Sequence, residues 1–203
     1  RGLVGSEMCI RDRYSNDTVN KLKAAKQTYF LHQPMEPEGF PDVNPGKYAL
    51  LLSMNKEEIK NVFEKNLKAI NGISGVNNHM GSAFTQNSEK MKCFLEIVKA
   101  KGLIYVDSLT SAHSVGYKTA CLMGIPTLKN DLFLDNSNDK ASILKYLSML
   151  KRRVIKNGSD VAIGHIQRKN LPKALKEVIP EFKKAGIEFL TVPEYIEYEN
   201  TGN

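Results

Sequence analysis

Nothing in these 203 residues approaches the roughly 18 consecutive apolar residues of a membrane-crossing helix, so no membrane segment is expected in the chain. The N-terminus also lacks the charged, apolar and small-residue order of an export signal. The cysteines are few and odd in number, Cys9, Cys93 and Cys121, and none forms a CxxC pair. That excludes a disulfide framework and a thiolate zinc site, and leaves them as buried free thiols. No GxxxxGKS or GxGxxG run is present to cradle a nucleotide. Lys and Arg exceed Asp and Glu for a net charge of +7, yet no basic run is interleaved with aromatics and no zinc-finger spacing occurs. The densest cationic runs, Lys151 to Arg153 and Lys183 to Lys184, sit in helix-like stretches. They read as solvated surface, and nucleic acid is not an expected partner.

What is present is a rhythm. With 41% hydrophobic and 25% charged residues, the chain can bury one sizeable core. Short apolar runs alternate with longer amphipathic ones, the pattern of repeated βα units in an α/β fold. Strands are predicted at 28–31, 75–77, 103–106, 125–128, 161–163 and 187–192. Helices are predicted at 56–70, 88–101, 111–123, 139–157 and 171–185, several closed by a glycine. Between the first strand and first helix, Pro34, Pro37, Pro41 and Pro45 forbid a continuous helix over 33–46. Polar residues stand at the strand ends: His32, His79, Asp107, Asp131 and His165. In parallel α/β architectures that rim gathers catalytic groups, because the strand fixes each residue and the loop leaves it open.

The most specific block is GVNNHMGSAFT at 75–85, an amide pair, a histidine and a glycine turn directly after a strand. It resembles the signature of divergent polysaccharide deacetylases. LHQPMEP at 31–37, VDSLTS at 106–111, FLDN at 133–136 and IGHI at 163–166 resemble further family blocks in the same order. The resemblance implies an irregular (β/α) barrel and a metal-dependent hydrolase that removes acetyl groups from an amino-sugar polymer or oligomer. It implies a divalent metal, usually zinc, as cofactor, a carbohydrate as substrate, and a periplasmic or exported setting. The metal would be held by His32 and His79; the bland alternative is a pair of histidines hydrogen-bonded inside loops. His165 would be the general acid, or else a supporting or packing group on the rim. Asp107 would orient an imidazole or touch the metal, or else cap the helix that starts near Ser111. Asn77, Asn78 and Ser108 are offered to sugar hydroxyls, with the two asparagines also able to hold the rim loop. Asp135 and Asn136 read as caps of the long helix.

The chain departs from the family pattern in three places. The pattern opens with an apolar strand ending in an Asp-Asp pair, whereas the only aspartates before His32 are Asp12 and Asp17, neither after an apolar strand. Gln33 stands where an apolar residue is usual, and Ile166 where proline is. Residues 1–13 share no periodicity with the rest of the chain and resemble a translated adapter. The expectation is therefore a single deacetylase domain over 14–203, shortened at its start and lacking the carboxylates for base and third ligand. The rival expectation is a non-catalytic carbohydrate-binding or regulatory barrel with a vestigial metal site.

Overall fold

A computed structural model describes residues 2–3, 6–9, 15–165 and 167–201, with backbone alone for 2–3, 6–9 and 15–18. The order of elements is β1 (Gly2–Leu3), β2 (Ser6–Cys9), α1 (Ser15–Ala24), β3 (Tyr29–Met35), α2 (Lys56–Ala69), β4 (Gly75–Met80), α3 (Ser88–Ala100), β5 (Ile104–Asp107), α4 (Gly116–Leu122), β6 (Thr127–Lys129), β7 (Leu132–Phe133), α5 (Lys140–Asn157), β8 (Ala162–Ile163), α6 (Leu171–Lys184), β9 (Phe189–Leu190) and α7 (Val192–Thr201). Parallel strands separated by helices are the α/β class that the sequence rhythm implies. The chain divides into two compact units: Gly5–Lys129, and Asn130–Asn203 together with Arg1–Val4.

The larger unit is built on a five-stranded parallel sheet ordered β2-β3-β4-β5-β6. The register sets Leu31 beside Val76 and Val76 beside Tyr105, so these three share one face. That face packs on α2 and α3, where Ile59, Phe63, Met91, Phe94 and Leu95 are fully buried. Phe94 meets Phe63 and Tyr105 edge-on, with centroids 4.9 and 6.1 Å apart. Both helices start where the sequence supplies a cap. Asn55 accepts from Glu58 N at 3.0 Å while Glu58 Oε2 accepts from Asn55 N at 2.8 Å, and Asn87 accepts from Lys90 N. The strands come close at Gly75, where a Cβ would lie 2.2 Å from the Phe30 ring and 2.6 Å from the Ile104 carbonyl oxygen.

In the smaller unit, β7 pairs with β8 and β1 with β9, both in parallel. Leu134, Ile143, Leu147, Leu150, Val154, Leu171, Ala174, Phe182 and Ile187 form its core between α5 and α6. Arg153 on α5 clamps the buried Asp160 through two guanidinium nitrogens.

Several elements differ from the sequence reading. Strand β3 runs on through Pro34 to Met35, past the predicted end at 31. Its pairing with β2 ends at His32, and the Pro34 carbonyl turns to Leu50 N on that side, so the missing N–H of Pro34 costs no ladder bond to β2. Helix α4 starts at Gly116, later than 111, because the intervening residues form the turn that Asp107 holds. Helices α1 and α7 and strand β7 are additional. Of segment 1–13, Gly2–Leu3 and Ser6–Cys9 pair as strands, which backbone hydrogen bonding allows whatever the side chains; Asp12 and Ile166 lie outside the described residues. Cys121 is exposed and Cys93 half-buried, which corrects the reading of both as buried thiols. Among the described residues no helix is long and apolar enough to cross a membrane.

Candidate functional site

Successive residues of a strand point to opposite faces, and this alternation sorts the polar strand ends of the larger unit. His32 pairs with Asn77 and Asn77 with Val106. His32, Asn77, His79 and Ser108 therefore belong to the sheet face opposite the helices. His32 Nδ1 lies 3.0 Å from Asn77 Oδ1, and Asn77 Nδ2 donates to Ser108 Oγ at 3.0 Å. His79 Nδ1 lies 3.0 Å from His32 Nε2, with the rings 4.8 Å apart and inclined by 65°. His32 is buried and His79 half-buried. The two histidines expected to share an ion are thus brought together on one face with facing nitrogens.

The neighbouring residues turn toward the helices. Gln33, where the family pattern has an apolar residue, is fully buried; its amide nitrogen donates to Tyr48 O, and its Oε1 accepts from Asn66 Nδ2 on α2 at 2.9 Å. Asn78 is also fully buried. Its Oδ1 accepts from Ser108 N at 2.8 Å and its Nδ2 donates to Met80 O and Thr110 Oγ1. Both amides offered to sugar hydroxyls are consequently spent inside the protein. Asn77 holds an imidazole, and Asn78 ties the turn after β4 to the loop after β5.

Asp107 lies on the helix side and is fully buried. Oδ2 accepts from Ser114 Oγ at 2.7 Å and from Tyr117 N at 2.8 Å, while Oδ1 accepts from Leu109 N at 3.0 Å. Of the two roles open to it in the sequence, this geometry is that of the helix cap. Beside it, Tyr105 is buried with no hydrogen-bond partner for its hydroxyl among the described residues. Burial, and after it the Asp107 carboxylate, push that phenol well above its usual range.

The turn carrying His79 is tightly built. Met80 and Gly81 both have positive φ, and a Cβ on Gly81 would lie 2.8 Å from Met35 Cβ. The proline-rich loop is bolted onto the same turn: Glu36 O accepts from Ala83 N and Phe84 N, and Ser82 Oγ accepts from Glu38 N at 2.9 Å. HQPMEP and NNHMGSAFT are thus two halves of one clasp.

In the smaller unit, His165 follows β8, and its ring stacks on Phe133 at 6.4 Å, inclined by only 7°. Asp135 Oδ2 accepts from His165 N at 2.5 Å, and Asp135 Oδ1 lies 3.0 Å from His165 Nδ1. The aspartate side chain is 1% exposed and the histidine side chain 42%. The sequence offers Asp135 as a cap of the long helix, but the cap of α5 is Asp139, whose Oδ2 accepts from Ser142 N at 2.8 Å, and Asp135 instead holds His165. The available signal was its place two residues beyond a short apolar strand, the same place that singles out the other rim residues.

Paired imidazoles and buried amides at the carboxyl ends of parallel strands define an α/β protein with its candidate chemistry on the strand rim. The chain belongs to the divergent polysaccharide deacetylase family, whose model matches residues 11–196. It is 29% identical over 152 residues to an uncharacterized protein of Haemophilus influenzae, covering 75% of this chain and 54% of that one. To the uncharacterized protein YibQ of Escherichia coli it is 26% identical over 152 residues, covering 75% and 47%. The chain thus spans about half the length of these relatives. A crystal structure of an uncharacterized protein of Agrobacterium tumefaciens has the same fold, with a TM-score of 0.84 at 21% identity over 95% of this chain and 87% of that one.

Proposed function

We propose that this chain carries part of the active site of a metal-dependent hydrolase that removes acetyl groups from an amino-sugar polymer or oligomer. The observation that carries this reading is the facing pair His32 Nε2 and His79 Nδ1, 3.0 Å apart. Two nitrogens at about 2.0–2.1 Å from one tetrahedral ion would be about 3.3 Å apart, so the pair fits two ligand positions of zinc or a similar divalent cation. The fit stops at two: no group of three or more His, Cys, Asp or Glu suited to a metal occurs among the described residues. An aspartate from an Asp-Asp strand end of the kind the family resemblance implies would complete the set, and its neighbour would serve as base.

A divalent metal supplies Lewis acidity, polarising the acetyl carbonyl and acidifying a water. His32 and His79 would hold it. The family resemblance assigns the proton donor's part to His165, whose Nδ1 faces Asp135 and leaves Nε2 as the other ring nitrogen. Asp107, Asn78 and Ser108 keep the rim loops in place, and the substrate is a carbohydrate rather than a nucleic acid. An exported setting accords with a cell-wall or extracellular polymer as substrate.

The test measures zinc binding by calorimetry and acetate release from N-acetylglucosamine oligomers. This chain is expected to bind zinc weakly and release no acetate, whereas a version extended upstream by an Asp-Asp strand binds zinc more tightly and releases acetate. In that extended version His32→Ala and His79→Ala should each lose metal and activity together, while His165→Ala keeps metal and loses turnover. Acetate release by the present chain in chelator would overturn the mechanism. Oligosaccharide binding by the extended version with neither zinc binding nor turnover would favour a carbohydrate-binding barrel instead.

A further inference from the structure

Asn77 spends both ends of its amide on its neighbours. Its Oδ1 faces His32 Nδ1 at 3.0 Å, and its Nδ2 donates to Ser108 Oγ at 3.0 Å. It is fully buried, and the register sets it between the strand that carries His32 and the strand that leads to Ser108. An amide oxygen has no proton to give, so the bond at Nδ1 requires the proton to sit on the imidazole. A neutral ring protonated at Nδ1 carries its lone pair at Nε2. Nε2 is the atom that points at His79 Nδ1.

We propose that Asn77 is a positioning residue that selects the tautomer of His32 and so presents Nε2 as the metal-binding nitrogen. The inference rests on the metal reading above and assigns a cause to it: the ring is set before any ion arrives. Groups that orient a ligating histidine through its other nitrogen typically change metal affinity by about 10–100-fold when removed. The same placement explains why an amide suits this position. Its oxygen enforces the proton at Nδ1, and its nitrogen anchors the group to Ser108, where an apolar residue of similar size would make neither bond.

The experiment uses the whole chain labelled with nitrogen-15, at pH about 8 where an ordinary histidine is neutral. Ring-nitrogen NMR reads the tautomer of His32, assigned by the signal lost in His32→Ala, and calorimetry with zinc alone reads affinity. The wild type should show the Nδ1-protonated form. Asn77→Ala should show a mixture of tautomers and a zinc Kd raised about 10–100-fold. Asn77→Asp keeps an acceptor opposite Nδ1 and should retain both the tautomer and the affinity. Should Asn77→Ala not fold, Ser108→Ala releases the other end of the amide and should move His32 toward a mixture with a smaller loss of affinity. An Nε2-protonated His32 in the wild type, or an unchanged tautomer in both Asn77→Ala and Ser108→Ala, overturns the proposal. A wild type that binds no zinc, while Asn77→Ala still shifts the tautomer, overturns the metal reading and leaves the assignment of Asn77 as the residue setting the ring.

Discussion

Asp135 grips His165 at two points, accepting from its backbone N–H at 2.5 Å and facing its ring Nδ1 at 3.0 Å, while lying almost wholly out of solvent. An amide here could still accept from the backbone N–H, but its other end could only donate to Nδ1, turning the ring to the Nε2-protonated form. Asp135→Ala, which removes both contacts, should lower stability by about 1–3 kcal/mol, the usual cost of a buried polar group left unmet. Urea unfolding would read this, and an unchanged midpoint would show that the grip contributes nothing. In an acetate-releasing form of the protein the same change should reduce turnover, within the 10²–10⁴-fold range typical of a positioned acid.

Gly81 is held at φ +88°, and an added Cβ would come within 2.8 Å of Met35 Cβ. Gly81→Ala combines backbone strain with a clash between two strand ends, and should cost about 1–3 kcal/mol. Because His79 stands two residues earlier, zinc affinity should fall with it. Full stability in Gly81→Ala would contradict the clasp between the two signature blocks.

Asp107 takes three donors from the loop and first turn after it. Asp107→Ala leaves them unmet and should destabilise the larger unit by about 2–4 kcal/mol, above the range for a simple exposed cap. The readout is hydrogen exchange in 109–122, which should accelerate more than in α2 or α3. Normal protection there, together with lost activity in an active form, would return Asp107 to a direct part in the chemistry.

Tyr195 has its phenol pushed up to about 12 by burial first, with the Glu199 carboxylate adding to the shift and the bond with Ser159 opposing it. The ordinary tyrosine value is about 10. A raised folded value means that its contribution is fully present below pH about 10 and is lost as pH climbs toward 12. The wild type should thus lose more thermal stability between pH 9 and about 11 than Tyr195→Phe does. Parallel curves for the two proteins would show that this phenol does not report the folded state.

Periodicity made the helices at 56–70, 88–101, 139–157 and 171–185 readable, because each buries one apolar stripe and several begin or end on a recognisable cap. Strand β3 was harder: proline at 34 reads as a breaker unless one knows that the pairing with β2 has already ended. Helix α4 begins late for a similar reason, since only the fold shows Asp107 holding the turn before it. His32 and His79 could be paired in the sequence only through a family resemblance, for 47 residues separate them and no helical spacing links them. Asp135 escaped notice because Asp before a helix is so often a cap.

Amino-acid order alone establishes the alternation of apolar and amphipathic runs, and with it the α/β class and the placing of polar residues at strand ends. Those are local properties, set by side-chain spacing along one element. It also establishes the family, since the signature blocks can be read in line. Which polar residues share a face depends on parity along each strand and on register between strands, and the chain discloses neither until the strands pair. Parity and register together send His32, Asn77, His79 and Ser108 to one side of the sheet and Gln33, Asn78 and Asp107 to the helices on the other. A shift of one residue would exchange the two sets, because neighbouring side chains on a strand point in opposite directions.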